Sequence, residues 1–114
     1  MYKALHLSPM IPSYNVSETA AFFKNLLGFS TIMEGNYTIL QKDQLTIHIL
    51  PAGDIGEMEF YLEVDDVEAV WNNIKDKLAD TKVKGPFNQP YGIREIHVIV
   101  PHTKTLLFIG QVLG

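Results

Sequence analysis

The sequence predicts an α+β fold made of two copies of one module, each a strand, a helix and three further strands. Three observations carry that expectation. Val16, Ala20, Phe23 and Leu27 fall on one face of a helix, and Val67, Trp71, Ile74 and Leu78 repeat their offsets 51 residues further on. Each series follows a short polar residue, Asn15 or Asp66, whose side-chain oxygen can accept from a first-turn amide. Around both helices the chain breaks into short β-rich runs in the same order.

The first module occupies about residues 5–50. Leu5 to Ser13 reads as its first strand, with Pro9 and Pro12 requiring an edge position or a kinked path. The helix spans Val16 to Leu27. Glu18, three residues after Asn15, is expected to complete a capping box, and Gly28 to supply the left-handed stop. Phe29 to Met33, Tyr37 to Gln41 and Leu45 to Leu50 follow as strands, with Gly35-Asn36 and Lys42-Asp43 as turns.

Pro51 to Gly56 has the composition of a connector, and the second module occupies about residues 57–111. Glu59 to Val64 is its first strand and Val67 to Leu78 its helix. Lys82-Val83 is at most a brief strand, followed by a long loop from Gly85 to Gly92. Loops lengthened against a repeat often meet ligands. Arg94 to Val100 and Thr105 to Ile109 close the copy, joined by Pro101 to Lys104.

Neighbouring strand residues point to opposite faces, so the pattern also predicts what faces where. Phe60, Leu62 and Val64 should pack on the helices, leaving Glu59, Tyr61 and Glu63 on the other face. Leu45, Ile47 and Ile49 go to the core with Thr46 and His48 opposite; Leu107 and Ile109 go to the core with Leu106 and Phe108 opposite. The face away from the helices is therefore aromatic, acidic and imidazole-bearing, which suits a concave pocket.

Length and composition bound the function. At 114 residues the chain is expected to be one domain, 1–114, with a single core. The net charge is −4 and the nine basic residues are scattered, so nucleic acid and anionic membrane are poor partners. The absence of cysteine removes disulfides, thiolate nucleophiles and sulfur-bound zinc, and fits a reducing compartment. No apolar run approaches the roughly 20 residues of a membrane helix, and no signal-peptide core opens the chain, so a cytoplasmic location is expected. Ser8, Ser13, Ser17 and Ser30 have no histidine or aspartate at triad spacing, and no glycine-rich phosphate loop is present.

Pro12-Ser13, Thr19 to Phe23, Leu27-Gly28-Phe29 and Ile39-Leu40-Gln41 together resemble bleomycin-resistance proteins of the glyoxalase and vicinal-oxygen-chelate superfamily. Val64 to Val67, Pro90 to Glu95 and Leu106 to Gln111 agree. The resemblance implies paired βαβββ modules curving into a cup, and homodimers with ligand crevices at the subunit interface. Metal-dependent members carry His and Glu ligands on cup-facing strand positions that correspond here to Ser8, His48, Glu59 and Phe108. Serine is a poor ligand and phenylalanine none, so only His48 and Glu59 remain, against the usual three protein ligands of a catalytic metal. Sliding the first strand by two residues brings in His6 or Met10, and only His6 would restore a site.

The resemblance further implies that Tyr61 and Tyr91 stack on ligand, Tyr91 standing in the place of a tryptophan, and that Glu59 and Glu63 give the crevice a negative field. From the residues alone, the two glutamates are equally well solvated strand carboxylates, and His48 reads first as a polar residue satisfied within the sheet, then as a ligand contact. Trp71 reads as core, Arg94 and Glu95 as a structural pair, and His97 and His102 show no meaningful spacing. The expectation is a small-molecule binding protein that sequesters a ligand such as a cationic drug without a metal or other cofactor. Tyr61, Tyr91, Phe108, Leu106, Glu59, Glu63 and His48 would line its site. The alternative is a metal-dependent lyase or dioxygenase in which a divalent ion rests on His48 and Glu59; a third reading is a regulatory binder of a metabolite.

Overall fold

Among the described residues, eight strands form two four-stranded sheets of the same topology, as the repeat requires. A computed structural model describes residues 1–78 and 82–114. Strands β1 (Met10–Ser13), β2 (Ser30–Met33), β3 (Thr38–Lys42) and β4 (Leu45–Pro51) are arranged β1-β4-β3-β2. Strands β5 (Met58–Glu63), β6 (Val83–Asn88), β7 (Ile93–Ile99) and β8 (Thr105–Val112) are arranged β5-β8-β7-β6. The β1/β4 and β5/β8 pairs are parallel and the others antiparallel. The sheets are curved, and among the described residues no ladder joins one to the other.

Helices α1 (Val16–Leu27) and α2 (Val67–Ile74) each follow the first strand of their module. Asn15 Oδ1 accepts the Glu18 amide at 3.2 Å and Asp66 Oδ1 the Ala69 amide at 3.1 Å, so both caps form. The return half of the capping box does not come from Glu18. Ser13 supplies it, its hydroxyl accepting the Asn15 amide at 2.9 Å. Gly28 adopts φ 79°, and its N–H and that of Phe29 both return to the Phe23 carbonyl.

Helix α2 stops a turn earlier than its apolar stripe predicts. No glycine follows it, and the Lys77 amide bonds to the Ile74 carbonyl three residues back, tightening the last turn out of α geometry. Leu78 is nevertheless buried, so the stripe reaches the core through a turn. The first strand is also shorter than expected: residues 5–9 lie outside it, and pairing begins where Pro9 accepts the His48 amide at 3.0 Å. Pro12 is tolerated because β1 is a sheet edge. Conversely, the expected loop from Gly85 is strand as far as Asn88. A register shift between Lys84 and Phe87 accommodates Pro86, leaving only residues 89–92 as the turn.

The two modules share one core. Phe23, Ile11, Leu40 and Ile49 from the first and Val67, Ile74, Val98, Leu107 and Ile109 from the second belong to a single buried cluster. Polar bonds tie the halves together: Asn73 Nδ2 donates to the Leu26 carbonyl at 2.6 Å, and the Tyr14 amide to the His102 carbonyl at 2.9 Å. Thr19, fully buried on α1, donates its hydroxyl to the Pro101 carbonyl at 2.8 Å. Its Oγ1 lies 2.7 Å from the Ser13 hydroxyl, completing a relay from the Asn15 amide to the opposite module.

Thr19→Val keeps the shape but removes both bonds of the Thr19 hydroxyl, so the Pro101 carbonyl loses its donor and the buried Ser13 hydroxyl keeps only its bond from the Asn15 amide. Urea denaturation should show a loss of about 1–3 kcal/mol, whereas Ser17→Ala, on the exposed side of the same turn, should cost much less.

Candidate ligand-binding site

Alternation along β7 builds the site. Arg94, Ile96 and Val98 point to the helix side, and Arg94 pairs there with Glu68 of α2 at 2.6 Å and with Asn88 at 3.0 Å. Glu95, His97 and Ile99 point the other way. Arg94 and Glu95 therefore do not form the pair expected of them; adjacent strand residues face opposite sides and find separate partners.

The ladder sets His97 opposite Phe108, and Phe108 opposite Tyr61 on its other side. The His97 ring lies 4.2 Å from the Phe108 centroid and 5.0 Å from that of Phe87. Glu95 sits two register pairs away, opposite Gly110, with its side chain only 3% exposed. Three donors converge on it. The Tyr91 hydroxyl reaches Oε2 at 2.6 Å, while His97 Nε2 at 2.8 Å and Gln89 Nε2 at 3.2 Å reach Oε1. The turn at residues 89–92, closed by the Gly92 amide on the Gln89 carbonyl at 3.1 Å, carries Tyr91 into this position.

These contacts set the charge states. Burial by itself would raise the Glu95 carboxyl, but the hydrogen bonds from Tyr91, His97 and Gln89 together outweigh it and hold Glu95 below its ordinary 4.5. Ionised Glu95 offers only acceptors, so His97 Nε2 carries the proton. The Tyr91 phenol, bonded to that carboxylate, is pushed up to about 12. Tyr61 is raised by burial and by the neighbouring charge of Glu63, whose carboxylate its hydroxyl meets at 3.4 Å.

Tyr61 lies over Gly110. A Cβ there would come within 2.7 Å of the tyrosine ring edge and hydroxyl and 2.8 Å of an Ile93 methyl, so the glycine is what leaves room for the ring. On the far side Lys84 Nζ stands 3.9 Å from the Phe87 centroid, a cation already resting on this aromatic surface.

Of the residues expected to line a site, Tyr61, Tyr91 and Phe108 gather around Glu95, with Glu63 beside Tyr61. Glu59 and Leu106 face each other further along the same sheet, in an open polar hollow of about 720 Å³ with His102 and Lys104. His48 belongs to the first sheet, where its Nδ1 meets the Tyr37 hydroxyl at 2.6 Å. Glu95, His97, Phe87 and Gln89 were not anticipated. The available signal was alternation: Glu95 and His97 flank Ile96, so they share a face with each other and not with Arg94.

No protein-family model matches the chain, and no curated protein matches its sequence. Solved structures do. The bleomycin resistance determinant encoded on the transposon Tn5 is 22% identical, with a TM-score of 0.79 over 94% of this chain and 97% of that one. The bleomycin-binding protein of bleomycin-producing Streptomyces verticillus, complexed with copper(II)-bleomycin, is 19% identical, with a TM-score of 0.77 over 100% and 99%. Lactoylglutathione lyase from Agrobacterium tumefaciens is 12% identical, with a TM-score of 0.76 over 92% and 91%. This chain has the bleomycin-resistance and glyoxalase fold. At these identities the likeness is one of architecture.

Three of the four positions that the family resemblance assigns to metal ligands hold side chains engaged elsewhere. Ser8 is hydrogen-bonded to Thr46, His48 to Tyr37, and Phe108 packs on His97. The register sets Met10, not His6, opposite His48, so the first strand brings in no replacement ligand. Among the described residues no three His, Asp or Glu side chains converge as a ligand set.

Two outcomes follow from the Glu95 cluster. A carboxylate with a lowered folded value contributes stability that is present above its unfolded value and lost as pH falls through the folded one. Acid unfolding should therefore draw on Glu95 below about pH 4.5, and Glu95→Gln should weaken that dependence in pH-stepped denaturation. A raised phenol behaves oppositely, its contribution being complete below pH 10 and lost towards 12. Ultraviolet titration should show late phenolate absorbance that moves earlier in Glu95→Gln. Separately, Gly110→Ala should displace the half-exposed Tyr61 ring sooner than unfold the sheet, lowering ligand affinity more than melting temperature.

Proposed function

We propose that this protein binds a cationic, aromatic-bearing small molecule on the second sheet and acts by sequestration, without a metal. The observation that carries the reading is the buried, ionised Glu95 set among Tyr61, Tyr91, Phe87, His97 and Phe108. A carboxylate supplies charge attraction, and the surrounding rings supply stacking and cation–π contact. Lys84 on Phe87 supports it, since the protein's own cation uses the same chemistry. Glu63 and Glu59 extend the negative field along the sheet. Sequestration needs affinity alone: a protein in excess over a drug removes it from its target with no transition state to stabilise.

Bleomycin is the first ligand to test, because two bleomycin-related proteins share the fold. The protein would act as a cytoplasmic homodimer. Support for the dimer comes from exposed apolar side chains on the first sheet, Met10, Ile32 and Met33, which a second copy would cover. Among the described residues no helix is long and apolar enough to cross a membrane.

Calorimetry with bleomycin and with other cationic antibiotics should detect binding that weakens roughly two- to tenfold in Tyr91→Ala, the worth of about one aromatic contact. Glu95→Gln should weaken it further and flatten its salt dependence. Light scattering should return twice the 12.9 kDa chain mass. Stoichiometric zinc, nickel, iron or manganese held through His48 and Glu59 in elemental analysis would overturn the reading in favour of metal-assisted catalysis.

A further inference from the structure

A second cavity lies where the two modules meet, and Tyr61 is the residue it shares with the aromatic surface around Glu95. It holds about 370 Å³, at the small end of the range of about 300–1,000 Å³ for ligand pockets. Phe23, Leu45 and Ile47 wall it from the first module, and Phe60, Leu62 and Leu107 from the second. Phe23 and Leu107 lie beneath it in the buried core, and Leu45 and Tyr61 are its half-exposed members. Leu5, His6, Leu7 and Pro9, from the segment that precedes β1, complete its lining.

The chemistry of the walls restricts the occupant. The lining contains no Asp, Glu, Lys or Arg. The Thr46 hydroxyl is taken by Ser8, and the Tyr61 hydroxyl is directed to Glu63. His6 and Gln44 are the remaining polar residues of the lining. An ion placed here would lose its hydration with no opposite charge to replace it. An uncharged aromatic or alicyclic molecule would lose only unfavourable contact with water, and apolar cavities of comparable or smaller size take up such guests.

We infer that the inter-module cavity is a binding site for a small uncharged aromatic molecule, distinct from the acidic aromatic surface of the second sheet. The occupant would lie between two sheets that, among the described residues, no hydrogen-bond ladder joins, replacing water with contact to both modules at once. Binding there would therefore stabilise the junction between the modules, and the melting temperature would rise with ligand concentration.

Titration of the isotope-labelled protein with indole, with benzylamine as the charged counterpart, tests this. Saturable shifts are expected at the amides of Leu45, Ile47, Phe60 and Leu62 with indole, and at least about tenfold weaker binding there with benzylammonium. Leu45→Trp places a large ring at the mouth from a position that is half exposed, so folding should survive. It should abolish the indole shifts and leave bleomycin affinity unchanged. The map on the unaltered protein decides the matter even if that variant folds poorly. Shifts confined to Tyr91, Glu95 and His97, equal binding of the charged probe, or no saturable shift would each overturn the inference. Loss of bleomycin binding with the indole map intact would instead fault the proposed function alone.

Discussion

Neither module can bury its own helix stripe, and that constraint organises the molecule. A four-stranded curved sheet with one helix leaves an apolar surface uncovered. Here the second copy covers it, so Phe23 and Ile74 lie in one buried cluster and the helices pack against each other. Once the helix sides are committed to the shared core, the opposite sheet faces must turn outward. Tyr61, Phe108, His97 and Glu95 stand on such a face because Leu62, Leu107, Val98 and Ile96 are needed inside.

The junction is also polar, and the polarity gives it direction. Apolar burial tolerates sliding, whereas a buried hydroxyl relay does not. The chain from the Asn15 amide through Ser13 and Thr19 to the Pro101 carbonyl pins the start of α1 to the turn between β7 and β8. Asn73 pins the other end of the helix pair. These bonds join the modules at two places, and the apolar cavity remains in the gap that the sheets leave between them.

The duplicated fold has been put to different use in its halves. His48 in the first sheet and Phe108 in the second occupy equivalent positions, each opposite a residue of the parallel edge strand, Met10 or Tyr61. In the first, the imidazole is satisfied by Tyr37; in the second, an imidazole on the adjacent strand bonds a buried carboxylate and packs on the ring of Phe108. The same backbone thus presents a histidine–tyrosine pair on one side and an anion among aromatic rings on the other. Such asymmetry is compatible with one ligand site per chain on the second sheet.

The first helix, both N-caps, the repeat and most strand faces were legible in the sequence, because they depend on local periodicity and on a few short-range hydrogen bonds. Val16 to Leu27, Asn15, Asp66 and Gly28 all behave as their local chemistry dictates. The aromatic members Tyr61, Tyr91 and Phe108 were legible from alternation and from family resemblance. The groups that organise them were not. Glu95 becomes the centre of the cluster only when the turn at residues 89–92 carries Tyr91 and Gln89 back over β7, and when Gly110 across the ladder leaves room for Tyr61. The early end of α2, the strand through Pro86 and the cavity between the modules likewise depend on tight turns, register shifts and packing between distant segments, which no local pattern encodes.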